Sequence, residues 1–313
     1  MQVCAKAVSS LLLPEVDGRC TGPRIAYGSA CRDHPGRGLC VLGRIAALGP
    51  PRPLGLSEYA AGTIAAGNAR SMRGRPTHQT PKTLRKTTMN FDDVVRGRRS
   101  IRGYLDKPVP QALIREVLEL AMRAPTSLNT QPWNFYVVSG DVLDRIRQGN
   151  VERNLAGVPH SREFRMGPNY EGAHRERQIG VAKQLFAAMG IARDDKDGRQ
   201  DWVMRGFRQF DAPVSIVITY DRAILGSDVA PFDCGGVVNC LVNAAWSRGL
   251  GCVINSQGIM QSPVVREHAG IPDDQVIQTC VAMGWPDDSF PANAVVSQRK
   301  SIDEAAVFRG FAE

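Results

Sequence analysis

Hydrophobic periodicity divides the 313-residue chain at Met89. Before Met89, apolar residues are scattered among Gly, Pro and Arg without the period of a helix or a strand. After it, stretches with a helical period alternate with short β-branched runs, which indicates alternating helices and strands. Helices are predicted in NFDDVVRGR, PQALIREVLELAMRA, DVLDRIRQ, RQIGVAKQLFAAMGI and VAPFDCGGVVNCLVNAAWSRGLG, and strands in NFYVVSG, APVSIVITY, CVINS and VIQTCVAMG. This order predicts an α+β or mixed α/β class, with one sheet between helices and an extended C-terminal arm.

Three of the predicted helices carry more specific expectations. Pro110 suits the first turn of the second helix, because its missing N–H is not needed there. Asp141 is placed to cap the third helix. The stretch Val237–Trp246 is apolar on nearly every side, which is typical of a helix buried on all faces. Four residues of the second helix are spaced for one common face: Leu113, Val117, Leu120 and Ala121.

Residues 1–88 differ from the rest of the chain in charge and composition. They contain 13 of the 39 basic residues but only 4 of the 31 acidic ones, so the net charge of +8 comes from this segment. Repeated Pro and Gly predict a disordered basic extension. An Arg-rich targeting segment is one alternative, and translation from Met72 or Met89 is another. We expect these residues to be dispensable for activity.

Several functional classes are disfavoured by the sequence. The basic residues of the extension lack interleaved aromatic residues, which argues against nucleic-acid binding. No run approaches the roughly 18 apolar residues of a membrane span, so we expect no membrane association and a cytoplasmic protein. Neither a GxGxxG nor a GxxxxGK[ST] motif is present.

The cysteines and histidines of residues 89–313 do not suggest a metal site. None of these residues lies at metal-ligand spacing, and no CxxC pair occurs. We interpret the cysteines as buried apolar side chains in a reducing compartment. The residues concerned are Cys234, Cys240, Cys252, Cys280, His160, His174 and His268.

The first candidate binding cluster is RGRRSIRGY. Arg98, Arg99 and Arg102 flank Ser100 just after the opening helix. Guanidinium groups and a hydroxyl suit a phosphate well. The alternative is a solvated basic helix end, stabilised by the helix dipole.

The second cluster is APTSLNTQPW. Ser127, Asn129 and Gln131 occupy every second position, so in an extended segment they would face one side. Trp133 can anchor the segment in the core. Such a segment could hydrogen-bond a flat polar heterocycle or a polyol, whereas the alternative is an ordinary Asx or Ser turn.

The third cluster is GLGCVINSQG, a predicted strand that ends at Asn255 and continues into SQG. Gly258 would allow a ligand to approach the backbone closely. An ordinary strand end is the alternative. Further along the chain, Arg299 and Lys300 are candidates for an anion, although a solvated basic turn explains them equally well.

The order RRSxR, APTSxNxQPWxF, GLGxxxxxxG and then a C-terminal basic residue resembles the nitroreductase family of flavin enzymes over essentially all of residues 89–313. The resemblance implies an α+β fold with a central mixed sheet flanked by helices, in a homodimer that exchanges arms and binds FMN. It implies that Arg98, Arg99, Ser100, Ile101 and Arg102 hold the phosphate and ribityl chain with Arg299, that Pro125, Thr126, Ser127 and Asn129 reach the flavin of the other subunit, and that Ser256, Gln257 and Gly258 offer backbone groups near the isoalloxazine.

The same resemblance implies the reaction. FMN would carry electrons from NADH or NADPH to a nitroaromatic compound or quinone by a ping-pong mechanism, with no catalytic side chain required. Residues 150–211 match the variable insertion over the flavin, where Arg165, Arg175 and Arg177 are candidate substrate partners. Alternatives are flavin fragmentation, reductive dehalogenation or dehydrogenation on the same fold, and a flavin-binding module without turnover.

Overall fold

The computed structural model describes residues 89–164, 167 and 169–312. The expectations for residues 1–88 and for Arg165 therefore fall outside the described residues. These residues form eight helices and four strands. The helices are α1 (Phe91–Gly97), α2 (Gln111–Ala121), α3 (Gly140–Leu155), α4 (Gly172–Ala188), α5 (Lys196–Phe207), α6 (Val229–Trp246), α7 (Ser262–Ala269) and α8 (Ile302–Ala305). The strands are β1 (Trp133–Ser139), β2 (Val214–Asp221), β3 (Gly251–Ile254) and β4 (Gln275–Gly284).

The four strands form one sheet in the order β1-β2-β4-β3. Every pairing between them is antiparallel, with Trp133 opposite Tyr220 at one end of the β1–β2 ladder. A parallel bridge joins Ser100 to Cys252 at the outer edge of β3. The α+β class is confirmed, and the parallel component of the expected mixed sheet is limited to this bridge.

Alternate side chains of β2 point to opposite faces of the sheet, and both faces are covered by helices. Ile216 and Ile218 pack in the apolar cluster that includes α2 and α6. Val217 packs in a second cluster with Leu143 of α3 and Val265 of α7. All three β2 residues are completely buried, which confirms the prediction of a strong buried strand.

Several local expectations require correction. Leu120 is 46% exposed, because the buried face of α2 is formed by Ile114, Val117 and Ala121. Pro110 precedes α2 as its N-cap rather than lying in its first turn. Asp141 lies in the first turn of α3, after the N-cap residue Ser139.

Helix α6 is not buried on all sides. Phe232 is 80% exposed and Val229 is 44% exposed. Gly235 and Asn239 are also exposed and lie about one turn apart along the same side. Within Val237–Trp246 itself, Asn239 is the one exposed residue and most others are buried, so the prediction is largely confirmed for that stretch, while the exposed apolar residues lie at the start of α6.

The segment 150–211 contains α4, α5 and two tight turns. Its expected start lies inside α3, which continues to Leu155. It returns to the sheet through the turn Gln209–Asp211, directly before β2. Across the described residues, no helix is long and apolar enough to cross a membrane.

Candidate functional site

The RRSIR segment lies along the free edge of β3. The amide of Ile101 donates to the carbonyl of Cys252 at 3.0 Å, and Ile101 is only 1% exposed. Gly251 makes this approach possible, because a Cβ there would lie 2.6 Å from the Ile101 side chain. The first cluster is therefore held as a short extension of the sheet and is not a loose helix end.

Asn293, which the sequence analysis missed, holds the same segment from the other side. Its Oδ1 accepts from the amides of Arg102 at 2.6 Å and Gly103 at 3.1 Å. Its Nδ2 donates to the carbonyls of Gly103 at 2.8 Å and Asp287 at 2.9 Å. Asn293 is only 2% exposed, so all four bonds form away from solvent. It is a positioning residue for the basic segment.

The arginines of this segment have different surroundings. Arg99 Nε donates to the carbonyl of Asn293 at 2.7 Å, and its guanidinium lies 5.4 Å from the centre of the Trp246 ring. Arg102 lies over Phe210 at 6.0 Å. Burial lowers the pKa of Arg102. The pKa of Arg98 is also lowered, first by burial and then by the positive charge of Arg299.

These positive charges are not neutralised by the protein. Within the described residues, none of Arg98, Arg102 and Arg299 forms an ion pair. Arg299 Nη1 hydrogen-bonds only to oxygens of Ser297 and Gln298. The partly buried Arg98 and the exposed Arg299 repel each other, and an anion between them would relieve this repulsion. The arrangement therefore fits a bound phosphate.

The second cluster is a turn and not the extended segment that we expected. Leu128, Asn129 and Gln131 have φ values of 50°, 59° and 46°. Gln131 Nε2 donates back to Asn129 Oδ1 at 3.0 Å, so their side chains interact with each other. The turn alternative is correct for the backbone, while Trp133 is buried as predicted.

This turn forms part of an open cleft. The cleft has a volume of about 510 Å³ and is lined by residues that include Pro125, Thr126, Asn129 and Gln131. The amide of Ser127 donates to the buried carboxylate of Asp233 on α6 at 3.1 Å. The polar residues of the second cluster thus surround a space large enough for a small molecule.

The third cluster forms a tight turn after β3. Gln257 N donates to Asn255 Oδ1 at 3.0 Å, and Asn255 Nδ2 donates to the carbonyl of Gly206 at 2.7 Å. A Cβ at Gly206 would lie 2.0 Å from Gln257 Oε1. Gln257 Nε2 lies 3.4 Å from the carbonyl of Val203. The side chain of Gln257 therefore joins this turn to α5, and Ser256 begins the turn.

Helix α5 also contacts the basic segment. Arg205 Nη2 lies 3.3 Å from the carbonyl of Arg102, and its Nη1 lies 3.3 Å from Asp211. Its guanidinium lies 4.9 Å from the centre of the Phe290 ring. The segment 150–211 is thus joined to the first and third clusters, which places it beside both.

Of the predicted substrate arginines, Arg175 and Arg177 are described, and they point to different partners. Arg175 Nη1 donates to Gln178 on its own helix at 2.6 Å. Arg177 is exposed and lies near Glu304 of α8. The pKa of Glu304 is lowered mainly by hydrogen bonds from Ser301, with Arg177 a lesser cause. The directions of these side chains depend on how α4 is rotated about its axis. The irregular hydrophobic pattern of α4 does not predict that rotation.

The four cysteines of the described residues are free thiols, and Cys234, Cys252 and Cys280 are buried as predicted. Burial raises the pKa of Cys234 to about 12 and that of Cys280 to about 12, and it also raises the pKa of Cys252. Cys240 is partly buried. In the described part of the chain, no group of His, Cys, Asp and Glu side chains could hold a metal ion.

The structure is an antiparallel sheet between helices, with a basic segment along one edge. Residues 95–285, more than half of the chain, match the nitroreductase family. The chain belongs to this family, which confirms the resemblance drawn from the sequence.

Individual relatives agree with this assignment. The nitrobenzene nitroreductase of Ectopseudomonas oleovorans is 36% identical over 226 residues, covering 71% of this chain and 98% of the relative. The chloronitrobenzene nitroreductase of Comamonas testosteroni is 35% identical over 230 residues, with the same coverage of 71% and 98%. The crystal structure of the FMN- and NADPH-dependent nitroreductase NfnB from Sphigopyxis sp. strain HMH superimposes with a TM-score of 0.67 at 29% identity, covering 71% of this chain and 100% of that one.

Proposed function

We propose that this protein is an FMN-dependent oxidoreductase that reduces nitroaromatic compounds with NADH or NADPH. The observation that carries the proposal is that Arg98, Arg102 and Arg299 form no ion pair within the described residues, with Arg98 and Arg102 in the segment bridged to β3 and Arg299 close enough to Arg98 to lower its pKa. Their surroundings match a phosphate, and the related enzymes named above act on nitrobenzene and chloronitrobenzene. NfnB, the structural neighbour, uses FMN and NADPH.

Arg98, Arg102 and Arg299 would bind the FMN phosphate, with the Ser100 hydroxyl as a further donor. Arg99 and Ile101 contribute differently, because their contacts with Asn293 and Cys252 hold the segment in place. The backbone of Ser256, Gln257 and Gly258 would lie near the flavin ring. Side-chain contacts of Gln257 with α5 leave only its main chain for this role.

A homodimer would complete the site. The polar turn that contains Pro125, Thr126, Ser127 and Asn129 carries Leu128 at its tip, and Leu128 is 96% exposed. Phe232 on α6 is exposed, as are Phe308 and Phe311 of the C-terminal arm. An apolar surface of this kind supports burial against a second copy, which would bring the turn to the partner's flavin.

Bound FMN would supply the two-electron carrier, accepting hydride from the nicotinamide and returning electrons to the nitro group. The side chains of this chain bind and orient. Helix α5 and the turn Gln209–Asp211 would cover the site and restrict water, because Arg205 joins them to the basic segment. Within the segment 150–211, Arg175 and Arg177 stay predicted substrate partners, as does Arg165.

The cofactor assignment can be tested by replacing Arg98 and Arg102 with Ala in the full chain. Each charge-assisted hydrogen bond to phosphate contributes about 1.5–3 kcal/mol, so we expect FMN occupancy, read from the visible absorption spectrum, to fall by at least about tenfold. The double variant Arg115→Ala, Arg145→Ala removes the same charge from exposed positions and should remain yellow. Full occupancy in the first variant would contradict the assignment.

The reaction is tested separately by NADH and NADPH oxidation with nitrobenzene. If both substrates use one cleft in turn, double-reciprocal plots at several fixed nitrobenzene concentrations will be parallel. Intersecting lines would rule out the alternating use of one site. A flavin-loaded protein that oxidises neither nicotinamide would rule out the reductase activity and favour a binding module.

A further inference from the structure

The turn that closes the segment 150–211 has an unusual backbone. Gln209, Phe210 and Asp211 have φ values of 57°, 56° and 55°. Three consecutive side-chain-bearing residues in the left-handed region are costly, and such strain persists only where the surroundings hold it. Phe210 is 7% exposed and Gln209 is completely buried, so packing on the sheet supplies this support.

Gln209 lies against the proposed flavin turn. A Cβ at Gly258 would lie 2.8 Å from Gln209 Cγ and 2.8 Å from Cys280 Sγ. Only glycine at this position therefore allows the amide of Gln209 to approach so closely. Yet neither Nε2 nor Oε1 of Gln209 has a hydrogen-bond partner among the described residues.

Two further buried polar atoms lack a partner among the residues described, one on Asn150, which bonds to Gly258, and one on Ser215, which lies beside Cys280. Asn150 Nδ2 donates to the carbonyls of Gly258 at 2.9 Å and Phe207 at 3.3 Å, whereas Asn150 Oδ1 is unpaired. Ser215 Oγ is also unpaired. It lies beside the thiol of Cys280, close enough to oppose part of the rise in that thiol's pKa, and the thiol proton is donated to the carbonyl of Asn255 at 2.9 Å.

Buried amides and hydroxyls in native proteins are almost always hydrogen-bonded, and internal water supplies the missing partners where protein atoms do not. The unpaired set around Gly258 contains two acceptors that cannot pair with each other, Asn150 Oδ1 and Gln209 Oε1. It also contains an amide donor, Gln209 Nε2, and a hydroxyl, Ser215 Oγ. A water molecule can donate twice and accept twice, which matches this set.

We propose that Asn150, Gln209 and Ser215 bind at least one internal water molecule beside Gly258. The water donates to the two amide oxygens and accepts from Gln209 Nε2 or from the Ser215 hydroxyl. It joins α3, the closing turn and β2 to the turn after β3. This site is independent of the proposed reaction, because it requires only the polar atoms of the folded chain.

The sign of a stability change tests the proposal. Replacing Gln209 with Leu preserves the volume of the side chain, and Leu is not β-branched, so the cost of the positive φ changes little. If water binds, Gln209→Leu removes hydrogen bonds that the water makes and lowers the thermal midpoint of the FMN-loaded protein. If Gln209 is truly unpaired, the same change removes an unsatisfied buried group and raises the midpoint.

Gln261→Leu is the matched control. Gln261 is also completely buried, but its amide is paired with Arg153 at 2.9 Å and with the carbonyl of Val158 at 3.2 Å. A midpoint for Gln209→Leu that falls in the same direction as that for Gln261→Leu supports the water site. A midpoint that rises overturns it.

Ser215→Ala provides a second route if Gln209→Leu fails to fold. With a shared water, Ser215→Ala lowers the midpoint, and its effect is not additive with that of a milder change, Gln209→Met. Strict additivity, or a rise on Ser215→Ala, counts against a shared site. A crystal structure of the flavin-loaded protein decides directly, since a protein side chain or a dry contact at this position excludes the water.

Discussion

The segment Arg98–Gly103 and the turn Ala124–Gln131 are both proposed to contact the same cofactor, yet the chain holds them very differently. The basic segment is bonded to Cys252 on one side and to Asn293 on the other, with Arg205 above it. The polar turn has one long-range bond in the described structure, from Ser127 to Asp233.

This difference suggests two modes of assembly. The basic segment is pre-organised within one chain, so a phosphate would meet cations already in position. The polar turn contains three residues with positive φ and an exposed leucine at its tip, and in the proposed homodimer the second chain would supply its further contacts. Substitutions that disrupt the basic segment should abolish cofactor binding, whereas substitutions that disrupt the polar turn should weaken it.

The largest effect is expected from Asn293→Ala. This change removes four buried hydrogen bonds and leaves the amides of Arg102 and Gly103 without partners. We expect a loss of about 3–5 kcal/mol in the free energy of unfolding, together with loss of bound FMN. Urea unfolding and flavin absorption measure both.

Asn154→Ala serves as the comparison, because Asn154 is a partly buried asparagine on α3, away from the basic segment. It should cost much less and keep the flavin. If Asn293→Ala retains flavin at wild-type affinity, the segment does not need this support.

A smaller effect is expected from Asp233→Ala, which removes the long-range bond of the polar turn. A hydrogen bond to a charged group contributes about 1.5–3 kcal/mol, so flavin affinity should fall by about tenfold or more. Asp233→Asn keeps an acceptor oxygen and should recover most of the affinity. Titration of the apoprotein with FMN distinguishes them, and equal affinities for both variants and wild type would show that the turn is held by other contacts.

The two regions were not equally accessible to sequence reasoning. The basic segment was located from the sequence because three arginines within five residues are a local signal, and its role in cofactor binding stays a prediction. Its partner Asn293 was missed because it lies about 190 residues further along, and a single asparagine in PANAVV carries no distinguishing pattern.

The polar turn was located but given the wrong backbone. Alternating polar residues predicted an extended segment, whereas Leu128 and Asn129 adopt positive φ. Positive φ at a leucine has no sequence signal, since intrinsic preference disfavours it. All four strands and most helices were predictable, because their periodic patterns extend over many residues and burial reinforces them. Helices α5 and α7 were not predicted from the sequence. The exposure of Phe232 at the start of α6 was not predictable either, since an apolar residue gives the same signal whether it faces the core or the surface.

A third prediction compares two buried thiols, Cys234 beside Asp233 and Cys252 beneath the basic segment. Burial, followed by the charge of Asp233, raises the pKa of Cys234 to about 12. Burial likewise raises the pKa of Cys252, beneath the basic segment. The unfolded chain releases these protons near pH 8.5, whereas the folded chain keeps them. Stability is therefore complete below that pH and is lost as the pH rises toward 12.

Each thiol should contribute a slope of about 1.4 kcal/mol per pH unit in this window. Cys234→Ala and Cys252→Ala should each reduce the slope of unfolding free energy against pH by this amount, measured by urea unfolding between about pH 9 and 11. An unchanged slope for either variant would show that its thiol ionises in the folded protein as easily as in the unfolded one.

The smallest effect on the single chain is expected from Leu128→Asn. Leu128 is 96% exposed with φ of 50°, a conformation that asparagine tolerates better. Unfolding free energy at low protein concentration should change by no more than about 0.5 kcal/mol. The dissociation constant of the proposed homodimer should rise, as measured by sedimentation equilibrium. A variant that dimerises as well as wild type would place the tip of the turn outside the interface.

The position of the basic segment at the outer edge of β3 has a consequence for solubility. β3 is the last strand of the sheet, and uncovered edge strands are templates for pairing with other molecules. Ser100 and Ile101 occupy this edge through the bridge to Cys252, and Tyr104 makes a second bridge to Pro286. The residues proposed to bind phosphate therefore also shield the sheet from intermolecular β-pairing, and displacing them would expose an aggregation-prone edge.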